Sequence, residues 1–265
     1  MIKLSIITIN YNNAAGLIKT IRSVTGQSWK KFEYIIIDGE STDGSVNFIR
    51  QYQNELTCWI SEPDRGVFQA MNKGILKAQG EYLLMLNSGD IICNENVLKE
   101  IFEDNKPVED ILYGDVFRES KGEIFQESVF PDQLSFLFLH KEALSHQAAF
   151  IRRELHTRIG LYDETKNFCS DWSFFLLAIC KYNASYKHIH RKIAICNCDG
   201  LTCNPSNFLP MAKERNSFLK KEFSAFIDDY KLLYAVKNKK IHKRILSAYS
   251  QFIAKCKYKL KLAWN

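Results

Sequence analysis

The stretch 81-EYLLMLNSGD-90 decides the fold. Its apolar run, Tyr82–Leu86, shows no polar alternation and stops abruptly at Asn87-Ser88-Gly89-Asp90. A short unbroken run of this kind fits a strand buried on both faces of a sheet. The polar tetrad then reads as the turn at that strand's carboxyl end, the edge at which open α/β sheets bind ligands. Asp90 brings a carboxylate to that edge, with room for a metal ion and a phosphate. The same residue types are ordinary turn formers, so the tetrad alone does not decide the chemistry.

Toward the amino terminus the unit recurs three times. Leu4–Ile9 ends in Asn10-Tyr11-Asn12-Asn13, Phe32–Ile37 in 38-DGESTDGS-45, and Leu56–Ile60 in 61-SEPDRG-66. Helical spacing fills the intervals. Leu17, Ile18, Ile21 and Val24 follow an N-cap at Asn13 and stop at Gly26. Val46, Ile49 and Tyr52 follow Asp43. Val67, Met71, Ile75 and Leu76 close near Gly80. Strand–helix alternation without hairpins predicts a mostly parallel, Rossmann-like α/β sheet with right-handed crossovers. Its four polar clusters should gather along one edge.

Toward the carboxyl terminus the alternation loosens. Asn96–Phe102 reads as helix, and Asp110–Phe117 and Glu123–Val129 read as paired strands. Gln133–His140 is a helix and Ala148–Ile151 a strand led by His146-Gln147. Ser170-Asp171 opens a helix over Trp172–Cys180, and Tyr186–Cys196 is a strand. Asp199–Asn207 is a loop, and helices finish the chain over Phe208–Tyr234 and Lys239–Leu262. With no internal repeat and no low-complexity linker, the second half reads as a continuation of the first.

Composition bounds the class. In 265 residues, 46% hydrophobic and 13% aromatic content support the core of one large α/β domain. No run approaches the ~20 apolar residues of a membrane span, and the amino end is too short in apolar residues for a signal peptide. A cytoplasmic protein is expected. None of the eight cysteines forms a CxxC pair, and the spacing of Cys196, Cys198 and Cys203 matches no standard zinc pattern, so reduced thiols are expected. The net charge of +6 is a composite. Ten Lys or Arg and no acid lie from Lys231 onward, leaving 26 basic against 30 acidic side chains before it. In that tail Ile241, Ile245, Tyr249, Phe252, Cys256 and Leu260 fall on one helical stripe. A basic amphipathic helix suits the anionic inner face of a membrane; packing on the domain or against a second copy is the alternative.

Carboxylates at Asp38, Asp64 and Asp90 with a cation at Arg65 suit a nucleoside diphosphate and a divalent Mn2+ or Mg2+, since hard oxygen ligands select such ions. The chain lacks GxxxxGK[ST], so it is not a simple P-loop protein, and it lacks GxGxxG after the first strand. A nucleotidyltransferase would show a glycine-rich basic loop there, where this chain has NYNN. A non-catalytic nucleotide-sugar-binding or scaffold subunit also stays open. Nothing points to nucleic acid.

IITINYNN, IIIDGESTDGS, SEPDRGVFQAMNKG and GEYLLMLNSGD, in this order, resemble family 2 glycosyltransferases of the GT-A fold, and within them bacterial enzymes of capsule, exopolysaccharide or O-antigen synthesis. The resemblance spans residues 1–118 and continues through HQAAF (146–150) and SDWSFF (170–175). It implies transfer of a sugar from a nucleotide-sugar, typically a UDP-sugar, to a hydroxyl of a glycan or lipid-linked acceptor, with inversion. It divides the chain into a donor half (1–118), an acceptor and catalytic half (119–205) and a helical basic extension (206–265). It implies that Thr8, Asn10 and Tyr11 line the nucleoside pocket, with Asp38 accepting from the base. Asp64 and Arg65 would meet ribose and phosphate, flanked by Asn87 and Ser88, with Asp90 holding the metal. Asn87 and Gly89 stand where many members have Asp. Asp171 matches the catalytic base; its other reading is an N-cap. His146, Gln147 and Trp172 fall on the acceptor side. Asp115 would meet the acceptor or end a strand, and 199-DGLT-202 resembles a mobile segment over the diphosphate.

Overall fold

The computed structural model describes residues 2–104 and 107–237. Its contacts divide the chain into two compact units, 1–214 and 215–265. The expected basic amphipathic helix lies outside the described residues.

The first unit is built on one mixed nine-stranded sheet. Strands β1 (Leu4–Asn10), β2 (Phe32–Asp38), β3 (Cys58–Ser61) and β4 (Tyr82–Asn87) alternate with helices α1 (Ala14–Thr25), α2 (Ser45–Gln51) and α3 (Val67–Lys77). These strands lie in the order β3-β2-β1-β4, all parallel. The burial explains the sequence pattern: every residue of β1 is buried, as are Tyr82–Leu86 of β4. Each large apolar side chain taken out of water there contributes about 1.5–3 kcal/mol. Helix α3 comes unusually close to β1. A Cβ on Gly74 would stand 2.3 Å from Ile7 Cγ2, so only glycine fits at that contact.

The rest of the sheet is mixed. Strand β5 (Ile91–Ile92) follows the tetrad, and a short helix α4 (Val97–Lys99) runs into a wide turn at Glu100–Asp104. Strands β6 (Ile111–Ser120) and β7 (Glu123–Ser128) form a hairpin, followed by α5 (Phe136–Lys141). Then come β8 (Ala149–Arg152), α6 (Glu154–Ile159), α7 (Ser170–Cys180) and β9 (Tyr186–Asn197). Beyond β4 the order runs β8-β6-β9-β5, with β8 antiparallel to β4 and β6 and β9 parallel to β6. Helix α8 (Phe208–Glu222) crosses the unit boundary, and α9 (Ser224–Lys237) follows a break at Phe223. In the second unit Phe218 and Phe223 pack ring to ring with centroids 6.0 Å apart.

Two registers assemble the site. Leu83 pairs with Ile151 across β4 and β8. Just before β8, His146–Ala148 make a single 3-10 turn that sets His146 beside Asn87 and Gln147 beside Asp90. Ile91 pairs with Ile195 across β5 and β9, which brings Asn197 level with Gly89. The tetrad is thereby flanked by residues from two distant strands.

Candidate active site

The turns after β1, β2, β3 and β4 gather at one sheet edge, as the four polar clusters suggest. The nucleoside side of this edge is organised by Asp38. Its carboxylate accepts from Asn10 Nδ2 (2.7 Å), Ser41 Oγ (2.6 Å), Ser41 N (3.0 Å) and Ser61 Oγ (2.7 Å). Asp38 is fully buried. The expectation is that it accepts from a base; in the folded chain it takes four protein donors and pins three turns together. Asn10 Oδ1, by contrast, is buried with no partner. Thr8, expected in the nucleoside pocket, lies wholly buried in β1 with its hydroxyl 3.0 Å from Tyr34 Oη.

Tyr11 is 70% exposed and offers a free ring face. A Cβ on Gly39 would fall 3.1 Å from the Tyr11 ring and 3.2 Å from Asp64 Oδ2, so these side chains converge over the end of β2. Asp64 pairs with Lys73 at 2.5 Å, and Lys73 also holds Glu62. Arg65 reaches Glu164 (3.2 Å), which also accepts from Gln69 (3.1 Å) and Asn72 (3.0 Å). The hydrogen bond from Asn72, then those from Gln69 and Arg65, outweigh desolvation and hold the Glu164 carboxyl below its ordinary range. Sequence reading missed Glu164, because nothing marks an isolated acid 99 residues from Arg65 as its partner.

At the tetrad, Gly89 adopts φ +106°, a conformation L side chains rarely take. Asp90 is 2% exposed. Its Oδ2 accepts from Asn87 N (3.1 Å) and its Oδ1 from Asn197 N (2.9 Å), and Gln147 bonds it as well. Burial pushes the Asp90 carboxyl up, against the charge of His146 and these donors. Asp90 is expected to hold a metal; in the folded chain its Oδ2 is engaged inside the turn and its Oδ1 by Asn197 on β9. The family's Mn2+ or Mg2+ does not fit the residues present. Asn87 and Gly89 carry no charge, and a side chain at position 89 would be strained.

The acceptor half meets the tetrad through His146. Its Nδ1 lies 2.9 Å from Asp171 Oδ2, and its Nε2 lies 3.4 Å from Asn87 Nδ2. Burial alone would lower the His146 pKa, but the hydrogen bond and charge of Asp171, with the charge of Asp90, raise it above its ordinary value. An imidazolium donates from both nitrogens. With the Asn87 amide turned over, Nε2–H meets Asn87 Oδ1, which is otherwise buried without a partner. That arrangement satisfies the whole chain Asp171–His146–Asn87.

Asp171 is not an N-cap. The helix starts one residue earlier, with Cys169 at the cap. Asp171 instead sits in the first turn, where a carboxylate is favoured by the helix dipole. The orphan amides just before α7 are satisfied by Glu214, which accepts from Asn167, Phe168 and Cys169 N at 2.7–3.2 Å. Trp172, expected on the acceptor side, is buried, and its indole N–H donates to Leu139 O at 2.6 Å. Ser88 accepts from Asn13 Nδ2 through its carbonyl (2.8 Å), tying the tetrad to the start of α1. Asp115 is buried, bound to Phe130 N, His188 and Lys192. Asp199 accepts from Ser120 Oγ and Lys121 N.

A parallel β–α half with its turns gathered at one edge, closed by mixed strands that bring an Asp–His pair to the last turn, defines a nucleotide-sugar transferase of the GT-A fold. The chain belongs to Glycosyl transferase family 2, whose profile matches residues 5–159. It is 33% identical over 178 residues to an uncharacterized glycosyltransferase of Mycobacterium tuberculosis, covering 66% of this chain and 68% of that one. Among solved structures it is similar to Staphylococcus aureus TarS residues 1–349 in complex with UDP-GlcNAc (TM-score 0.63, 18% identity, 82% of this chain). This chain spans 66% of that fragment, just under two thirds of its length. It is also similar to a mannosyltransferase from Pyrobaculum calidifontis in complex with GDP-Man and Mn2+ (TM-score 0.53, 15% identity, 95% of this chain and 80% of that one). At these identities the solved structures establish the fold.

Proposed function

We propose that this glycosyltransferase moves a sugar from a UDP-sugar to a hydroxyl of a glycan or lipid-linked acceptor in surface polysaccharide synthesis, with inversion, and that Asp171 is the general base. One observation carries the reading: the chain Asp171–His146–Asn87 joins the helix of the acceptor half to the tetrad of the donor half. Residues 1–118 then bind the donor and 119–205 the acceptor. Tyr11 stacks on the base, and Asn10 Oδ1 takes the place given to Asp38 as acceptor for an imide N–H. Asp64, Arg65, Asn87 and Ser88 face ribose and diphosphate.

With Oδ2 of Asp171 on His146, Oδ1 is the oxygen that takes the proton from the attacking hydroxyl. The hydroxyl oxygen forms the new bond to the anomeric carbon while the bond from that carbon to the phosphate oxygen breaks, and UDP leaves with the electron pair. His146, its pKa raised by Asp171 and Asp90, supplies positive charge next to Asn87 of the tetrad. Asp90, buried and hydrogen-bonded, is the one carboxylate at 87–90, and the leaving diphosphate draws its positive charge from His146 instead of from Mn2+ or Mg2+. The basic segment from Lys231 onward gives the enzyme a peripheral contact with the inner face of the membrane.

The test is product formation with a panel of nucleotide-sugars, read by UDP release and by the anomeric configuration of the product. Asp171→Asn is expected to lower turnover by roughly 10²–10⁴-fold while UDP affinity is kept. Turnover in wild type is expected to survive EDTA. Retention of configuration, or full activity in Asp171→Asn, would overturn the assignment of the base. Loss of turnover in EDTA that Mn2+ restores would overturn the charge role given to His146.

A further inference from the structure

We propose that Asp132, His188 and His190 form a binding site for a transition-metal ion of the zinc type, separate from the transfer site. His188 and His190 lie on β9 on either side of Ile189, where the strand bulges against β6, and their rings meet with centroids 4.5 Å apart. A ligand atom from each of the three residues lies within 4.8 Å of the others. Asp132 Oδ1 is 2.9 Å from His188 Nδ1 and 3.3 Å from His190 Nε2. An ion bonded at about 2.0–2.1 Å to tetrahedral ligands sets them about 3.3 Å apart, close to the spacing seen.

The support behind His188 is what separates this cluster from a chance grouping of surface acids and imidazoles. His188 is buried, and its Nε2 lies 2.8 Å from Asp115 Oδ1. Asp115 is itself fixed by the amide of Phe130 (3.0 Å) and by Lys192 (3.3 Å). A carboxylate accepting from one ring N–H fixes the tautomer and turns the other nitrogen's lone pair outward, the outer-shell arrangement typical of histidine metal ligands. Here that lone pair points to the nitrogen of the cluster, Nδ1. The stacked ring of Tyr113, 5.1 Å away, holds the imidazole plane. Two imidazoles and one carboxylate suit Zn2+, Ni2+ or Cu2+, whereas Mg2+ and Ca2+ prefer all-oxygen sets. Asp132 and His190 are 67% and 73% exposed, which gives the ion an entry path and a fourth position for water.

The site is not the donor's cation site. Asn197, which bonds Asp90, pairs with Glu119 on β6 whereas His188 pairs with Tyr113, six residues away, about 20 Å at the rise of a strand. Its effect is local: it clamps the turn after β7, already held by Tyr113 Oη on Pro131 O (2.5 Å), to the face of β9. The competing arrangement has no ion, with a protonated His188 shared between Asp115 and Asp132.

Full-length protein freed of metal by a chelator is titrated with Zn2+ by calorimetry and with Co2+ by visible absorption. We expect one equivalent to bind, with the intense ligand-field bands of a tetrahedral Co2+ site, and Zn2+ to raise the Tm. Asp132→Asn and His190→Ala, both at exposed positions that leave the fold intact, should each weaken Zn2+ binding at least tenfold. Asp115→Asn should weaken it by about 10–100-fold. No binding by the wild type, or affinity unchanged within twofold in Asp132→Asn/His190→Ala, overturns the proposal; the second result would assign the ion to cysteines.

Discussion

His146 is held by opposite charges on two sides, and that fixes how stability depends on pH. Its pKa is raised on folding because the hydrogen bond and charge of Asp171 and the charge of Asp90 outweigh its burial. A group raised above its unfolded value of about 6.5 contributes stability that is fully present below that pH and is lost as pH rises through the folded pKa. Hydrogen bonds to charged groups contribute roughly 1.5–3 kcal/mol. His146→Gln should therefore destabilise most between pH 5.5 and 6.5, with a gap to wild type that narrows toward pH 9. Urea unfolding across that range checks it, and a gap of constant size would mean the imidazolium is not the stabilised form. The same residue shows what sequence conveys at this scale. HQ at 146 and SD at 170 were each marked by the family resemblance, but that His146 meets Asp171, and which side chains face the crevice, was not legible. Asp38 and Asp90 carry the right charge in the right turns, yet each is bonded by donors that only the folded chain supplies. The burial of Thr8 and Trp172 was not legible for a related reason: strand and helix position put them in the core, and their polar atoms found Tyr34 and Leu139.

Among the elements, the parallel half was readable because each β–α unit repeats the same buried run and polar turn. In the mixed half the longer elements were readable too, but not their arrangement. Strand β5 is two residues long and α6 is six, below what periodicity detects, and the order β4-β8-β6-β9 follows from pairings across up to 78 residues. Close approach of elements is likewise set by single residues. Gly74 lies inside α3, where alanine would ordinarily gain about 1 kcal/mol. Its Cβ would stand 2.3 Å from Ile7 Cγ2 on β1, however, and forced overpacking typically costs 1–3 kcal/mol. The larger effect wins, so Gly74→Val should lower stability by about 2–3 kcal/mol. In an Ile7→Ala background the added penalty of Gly74→Val should largely vanish, because the methyl it strikes is gone. Thermal denaturation of the four proteins of that cycle gives the coupling. Additive losses would show that α3 does not rest on β1 through this contact.

At the scale of the whole molecule the charges are divided along the chain. The first 230 residues carry 26 basic against 30 acidic side chains, and the last 35 carry ten basic and none acidic. No helix among the described residues is long and apolar enough to cross a membrane. A polybasic segment is attracted to anionic lipid by about 1 kcal/mol for each Lys or Arg near the surface, within a Debye length of about 8 Å at physiological salt. The acidic balance of the first 230 residues opposes adsorption of that part, so attraction should reside in the tail. Full-length protein should co-sediment with vesicles containing phosphatidylserine and not with purely zwitterionic ones, and 0.5 M salt should release most of it. Removal of residues 238–265 deletes eight of the ten basic side chains and should abolish binding while leaving UDP affinity unchanged. A shortened protein that still binds anionic vesicles would move the contact elsewhere. Binding to zwitterionic vesicles that resists salt would mean that the apolar stripe from Ile241 to Leu260, rather than charge, makes the attachment.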